Sequence, residues 1–224
     1  MKLLSFDLAR DPYLLLDFTA NNPDLATLDL TDTGTFAGYV SGKLREAGAV
    51  VGVGGYAENR VIYRNSGHFT PTDQEARTIH LGIDFWAEAG TSVFAPVDGI
   101  IHSFADNTGY ANYGPTIILE HQTESAPAGF PRYSLYGHLS RASLAGLHEG
   151  KAVKAGEKLA EIGPYPENGD WPPHLHFQLM HDMLGLRGDF PGVCRLSEQE
   201  RWLKLCPDPG VYLTATADRP NPSP

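Results

Sequence analysis

Between Thr78 and Leu179 the apolar runs are short and are punctuated by Gly, Pro, Asn and Asp. A helix requires an apolar stripe recurring every three to four residues over several turns, whereas a strand needs only a few alternating positions between turn signals. This texture forces a mainly β body: a compact antiparallel sheet sandwich or curled sheet, α+β overall once the flanking segments are counted. Strands are predicted at 78–85, 92–97, 99–104, 115–121, 133–139, 158–163 and 174–180. The stretch 122–132, aperiodic and with two prolines, reads as a long exposed hairpin loop.

The flanks read differently. Phe36, Val40, Leu44 and Ala47 fall on one helical stripe, with Asp32 or Thr33 available to cap its start and Gly48 to end it, so a helix is predicted near 34–47. In AVVGVGGYAENRVIYR two apolar runs surround a Gly-rich turn, which suggests strands or a tight crossing. The glycines do not make a phosphate cradle, because Ala57 stands where GxGxxG needs its third glycine. Near the end, Ser197 and Glu200 have the spacing of a capping box before a short helix. The last residues, ATADRPNPSP, read as a disordered tail. These features divide the chain into an N-terminal helical or extended segment packing on the core (1–70), the β domain (71–192) and a C-terminal helix with tail (193–224).

Composition narrows the partners. Seventeen Lys and Arg against 27 Asp and Glu leave a formal charge of −10, which repels phosphate backbones and anionic lipid. Neither nucleic acid nor a membrane is an expected partner, and the sequence says nothing of oligomeric state. Asp and Arg interrupt every apolar run in the first 18 residues, which is unlike a secretory signal, and no window reaches the roughly 20 apolar residues of a membrane span. The expected location is cytoplasmic. Cys194 and Cys206 lack CxxC spacing and are expected to be two buried thiols rather than a disulfide.

The chemistry lies in the histidines. In IHLGIDFW, strand alternation sets His80, Gly82 and Asp84 on one side and Leu81, Ile83 and Phe85 on the other. In PPHLHFQLM, His174, His176 and Gln178 share one face and Leu175, Phe177 and Leu179 the opposite one. Imidazoles at i and i+2 stand about 6.6 Å apart along a strand, close enough to border one ion or one substrate atom. His80 and Asp84 are separated by about 13 Å of extended chain, near the limit for sharing an ion, so a bend is predicted at Gly82. Two imidazoles and one carboxylate suit Zn²⁺ with a fourth position left for water, the arrangement of a catalytic rather than a structural site. His138, in YSLYGHLS, ends an alternating strand in step with Tyr136 and Ser134.

With H-x-x-x-D, Y-x-H-L and H-x-H in that order, flanked by AGTSVFAPVDGII, GPTIILEH and LHEGKAVKAGEKLAEIG, the stretch of roughly 76–180 resembles the lysostaphin-type (LytM-like) zinc metallopeptidases. The resemblance implies the β core of that family with a narrow groove. It also implies hydrolysis of an amide bond by zinc-bound water in a short peptide, with Gly-Gly or D-amino-acid linkages of peptidoglycan type as the substrate class. Carried over by position, it makes His80, Asp84 and His176 the zinc ligands, and His138 and His174 unligated catalytic histidines. The GGYAENRVIY-to-WPPHLHFQ form is similar to a variant also found fused with kinase-like and class III aminotransferase domains, which would suit an intracellular substrate. The competing readings are a non-catalytic zinc-binding peptide-recognition or regulatory module, and a phosphocarrier, which the carboxylate of Asp84 disfavours.

Other candidates have plainer readings. His102 and His121 sit in apolar strands as structural histidines, His181 is out of step with the pair before it, and His68 and His148 lie in loops. Arg60 and Tyr56 either reach a substrate from the extra segment or serve the structure, and Trp171 either walls the groove or packs.

Overall fold

The structure, a computed structural model, describes residues 2–63, 69, 75–122 and 126–213. Strands β1 (Tyr13–Leu16), β2 (Val51–Gly54), β3 (Arg77–His80), β4 (Ile83–Trp86), β5 (Ser92–Phe94) and β6 (Gly99–Asn107) are followed by β7 (Gly114–Glu120), β8 (Tyr133–Gly137), β9 (Ala152–Val153), β10 (Lys158–Glu161), β11 (His174–Met180) and β12 (Val193–Arg195). Eight of them form one sheet in the order β1-β2-β4-β11-β8-β7-β6-β9, and β5/β10 and β3/β12 form two small antiparallel pairs. The fold is mainly β.

Pairing from β2 through β9 is antiparallel, whereas β1 and β2 run parallel. Parallel neighbours need a crossover, and helix α1 (Thr33–Ala47) supplies it. The Asp32 carboxylate accepts from the Thr35 amide at 2.8 Å, and Gly48 ends the helix at φ 62°, a conformation that glycine adopts without a Cβ penalty. Phe36 and Val40 are buried from the predicted stripe, but Ala47 is exposed.

The two faces of the sheet bury different sets of residues. Leu175, Phe177 and Leu179 of β11, with Ile83 and Phe85 of β4, pack in one core against Val93 and Ile117. Trp86 of β4 joins Phe18, Phe36 and Val40 on the other face, and Met180 of β11 joins Ile79, Leu81 and Leu135. Every residue of β11 is therefore buried, and its histidines lie under protein rather than in open solvent.

Several expectations need correction. The single strand expected at 78–85 is two, β3 and β4, broken at Leu81 and Gly82, where the bend was placed. Strands β1, β9 and β12 were not anticipated: YLLL has no alternation, and the other two are only two and three residues long. The run VIY forms a 3₁₀ turn, Val61–Tyr63, not a strand. Ser197 does not cap α2 (Gln199–Leu205); its hydroxyl donates to the Glu75 carboxylate, which also accepts from its amide. Of the predicted loop 122–132, residues 123–125 lie outside the described residues, and Phe130 is buried against His121 and Tyr212 rather than exposed. A short helix α3 (Gly210–Leu213) follows, and the stretch ATADRPNPSP lies outside the described residues.

Removing the cap of the crossover helix tests this construction. Asp32→Ala should cost about 1 kcal/mol of stability, read as a lower urea midpoint with unchanged slope.

Candidate metal centre and its cleft

Sheet register assembles most of the site. His176 of β11 lies opposite Asp84 of β4 on one side and Gly137 of β8 on the other, while His174 lies opposite Trp86. His80 comes from the end of β3, where it pairs with Val193 of β12, and the break at Gly82 swings it over β11. A Cβ on Gly82 would stand 2.8 Å from the His176 ring and 2.7 Å from the Phe177 carbonyl oxygen. Glycine is therefore required here because the His176 ring fills the space.

Three donor atoms converge. His80 Nε2 and His176 Nδ1 are 3.0 Å apart, and Asp84 Oδ1 stands 3.2 Å from the first and 3.0 Å from the second. The tautomers follow from the outer partners. The Gly55 carbonyl, 2.9 Å from His80 Nδ1, can only accept, so Nδ1 carries the proton and Nε2 the lone pair. Gln178 Nε2 donates to the Pro191 carbonyl at 3.1 Å, so its Oε1 faces His176 and accepts from Nε2–H at 2.9 Å, leaving Nδ1 as a lone pair. Two lone pairs and a carboxylate oxygen thus meet with no proton between them.

Such a group repels itself unless a cation sits inside it. Zinc bonds of about 2.0 Å in tetrahedral geometry separate neighbouring ligand atoms by about 3.3 Å, close to the observed edges. The site is 98% or more buried at His80 and Asp84, and the donors are borderline N and hard O, so the residues present fit Zn²⁺.

Electrostatics favour the same state. Burial, seconded by the charge of Arg60, holds His80 at about 4 and hence neutral. Burial alone would raise the Asp84 carboxyl, but neighbouring positive charge, that of the bonded Arg60 guanidinium included, overcomes it and holds the group well below the usual carboxylate range.

His138 and His174 stand beside this triangle, their ring centroids 4.2 Å apart. Their Nδ1–H groups donate at 2.8 Å to the carbonyls of Asn168 and Pro172, so Nε2 is the lone-pair atom in each. Burial pushes His174 down to about 4; it pushes His138 well below its ordinary value, with His174 and His176 adding to the effect. His174 is fixed further by stacking on Trp86, with centroids at 4.0 Å and planes at 15°.

His138 reaches this place by breaking step. Tyr136 points into the core on the opposite face, and continued alternation would carry His138 there too. Instead β8 stops at Gly137, and His138 takes φ 61°, a left-handed conformation that costs about 1–3 kcal/mol outside glycine and that clusters at functional sites. The expectation that His138 stays in step with Tyr136 and Ser134 is corrected accordingly.

His138, His174 and His176 open onto a cleft walled by Ile62, Tyr63, Phe69, Trp171 and Val193, with Asn112 and Tyr113 as polar lining. Trp171 walls the groove, one of the two readings set out for it. Tyr56 is structural, its hydroxyl donating to the Cys206 carbonyl, and His121 is held between the Asp98 carbonyl and the Ser134 hydroxyl. Cys194 and Cys206 are free and buried, and burial pushes both thiols up to about 12. Two residues near the ligands had no assigned role: Gln178, whose place two positions after His176 was a usable signal, and Glu58, which had none. Among the described residues no helix is long and apolar enough to cross a membrane.

Crowding at Gly82 gives a test. Gly82→Ala must displace the His176 ring or the β11 backbone, at a cost of about 1–3 kcal/mol, and should weaken zinc uptake in a titration of the folded variant.

Residues 78–186 match Peptidase family M23. An uncharacterized metalloprotease of Haemophilus influenzae is 33% identical over 99 residues, which is 44% of this chain; the chain spans 18% of that relative's length. Among solved structures, the catalytic domain of the antimicrobial peptidase lysostaphin from Staphylococcus simulans is 27% identical, covering 61% of this chain and 80% of that one, with a TM-score of 0.41. A zinc-containing peptidase from Vibrio cholerae is 26% identical, covering 50% and 30%, with a TM-score of 0.35. Residues 78–186, the stretch that matches Peptidase family M23, contain His80, Asp84, His138, His174 and His176.

Proposed function

We propose that the chain hydrolyses an amide bond in a short peptide, with His80, Asp84 and His176 holding zinc and with His138 and His174 moving protons in the cleft. The observation that carries this reading is the proton-free triangle of His80 Nε2, Asp84 Oδ1 and His176 Nδ1 next to two neutral imidazoles. Zinc bound there would polarise the scissile carbonyl and lower the pKa of water to about 7.

The chain's own residues supply the remainder. A water entering the cleft meets the Nε2 lone pair of His138 or His174, which can accept its proton as general base. The same atom, once protonated, can donate to the departing nitrogen or to the developing oxyanion. Because both Nδ1–H groups are committed to carbonyls, each ring offers one nitrogen only, Nε2, for both transfers. Ile62, Tyr63, Phe69 and Trp171 exclude bulk water from the cleft and strengthen these interactions.

The cleft walls are apolar and aromatic, which favours small, uncharged residues at the scissile bond. Gly-Gly or D-amino-acid linkages of a muropeptide-like substrate are the class we assign. We take 71–192 as the catalytic unit and 1–70 as a segment that completes it, in keeping with the variant that also occurs fused to kinase-like and aminotransferase domains. Two unpaired thiols suit a reducing compartment, and we place the protein in the cytoplasm. A purely binding module would not need a second pair of oriented histidines, one of them in a strained conformation, so the enzyme reading is preferred.

The test separates the roles. Zinc-loaded protein should cleave Gly-Gly or D-Ala-containing peptides and lose that activity to a chelator. His176→Ala should lose zinc, whereas His138→Ala should keep one equivalent while cleavage falls about 10²–10⁴-fold. Equal loss of metal in both variants contradicts the division of roles, and zinc-loaded protein inert towards a broad peptide panel contradicts hydrolysis.

A further inference from the structure

Asp84 uses its two oxygens differently. Oδ1 joins the donor triangle, while Oδ2 accepts from Arg60 Nη1 at 2.5 Å. Arg60 is fully buried and does not face the cleft, so it is not the substrate contact that the sequence left open. A guanidinium sealed in protein is costly unless its charge and its N–H groups are matched. Here Glu58 Oε2 accepts from Nε at 2.7 Å, the Tyr63 hydroxyl oxygen from Nη1 at 3.1 Å, and the Gly55 carbonyl lies 3.4 Å from Nη2.

The guanidinium has no freedom to leave. The Arg60 amide donates to the Thr78 carbonyl of β3, Glu58 Oε1 is held by the Phe18 amide, and a Cβ on Gly54 would stand 2.5 Å from Nη2. The same short stretch, 55–60, also sets the His80 tautomer through the Gly55 carbonyl. One loop therefore controls two ligands from behind.

We infer that Arg60 is a positioning residue that holds Asp84 to ligation through Oδ1 alone and so keeps a metal position open for water or the scissile carbonyl. This rests on the zinc reading of the site. A carboxylate with both oxygens free can chelate an ion and fill the position that catalysis requires; a fixed, bonded guanidinium on Oδ2 prevents this. Outer partners of this kind orient ligands, and their loss typically lowers activity or metal affinity about 10–100-fold.

The test has readouts apart from activity. In a crystal structure of the zinc-loaded chain, Asp84 Oδ2 should remain on Arg60 and only Oδ1 should meet the metal. In the cobalt(II)-substituted protein, Arg60→Gln should keep one equivalent of metal while its visible absorption weakens severalfold as coordination number rises, and peptide cleavage should fall about 10–100-fold. Arg60→Lys, which keeps a charged donor, should restore much of the original spectrum. Zinc-loaded wild type with both Asp84 oxygens on the metal overturns the inference and leaves the zinc reading intact, as does a folded Arg60→Gln whose cobalt spectrum is unchanged. Failure of the wild type to take up metal overturns both, and if Arg60→Gln does not fold, the wild-type structure decides.

Discussion

Two imidazole lone pairs and an ionised carboxylate oxygen held about 3 Å apart inside a protein repel one another, and every neighbouring element of this structure holds them there. The cost of that arrangement is the reason to read it as a metal centre rather than a polar cluster. A polar cluster would place a proton on each contact; here the carbonyls of Gly55 and, through Gln178, of Pro191 draw the protons to the far sides of the rings.

The division of labour follows from the sheet. Antiparallel register between β4 and β11 aligns Asp84 with His176 without help from loops, so two ligands share a rigid frame. The third ligand and one proton carrier come from departures from regularity, the break at Gly82 and the left-handed turn at His138, while His174 stands in register at the start of β11. Regular structure supplies precision and its interruptions supply direction, which is how strands whose side chains point to alternate faces bring five to one place.

What could be read beforehand follows the same division. Period-two alternation in IHLGIDFW and PPHLHFQLM exposed the ligand face, and the helical stripe with Asp32 and Gly48 marked α1, because local patterning dictates both. The face that His138 takes was not legible, since a single positive φ reverses it and no spacing records φ. Nor was most of the outer shell: Arg60 acts on Asp84 from 24 residues away and Glu58 acts through Arg60, so only the assembled fold shows them, whereas Gln178 stands two positions after His176 on the same strand face. Strands β9 and β12 escaped because two or three residues carry no period, and Ser197 misled because a carboxylate from Glu75 outcompetes the helix end for its hydroxyl.

The most direct test of the donor triangle is a long-range ¹H–¹⁵N spectrum of the metal-free chain followed by zinc titration. His80 should appear as the Nδ1–H tautomer and His176 as the Nε2–H tautomer, and one equivalent of zinc should shift His80 Nε2 and His176 Nδ1 together. A proton found on either of those two nitrogens at neutral pH, or rings that ignore added zinc, would contradict the account.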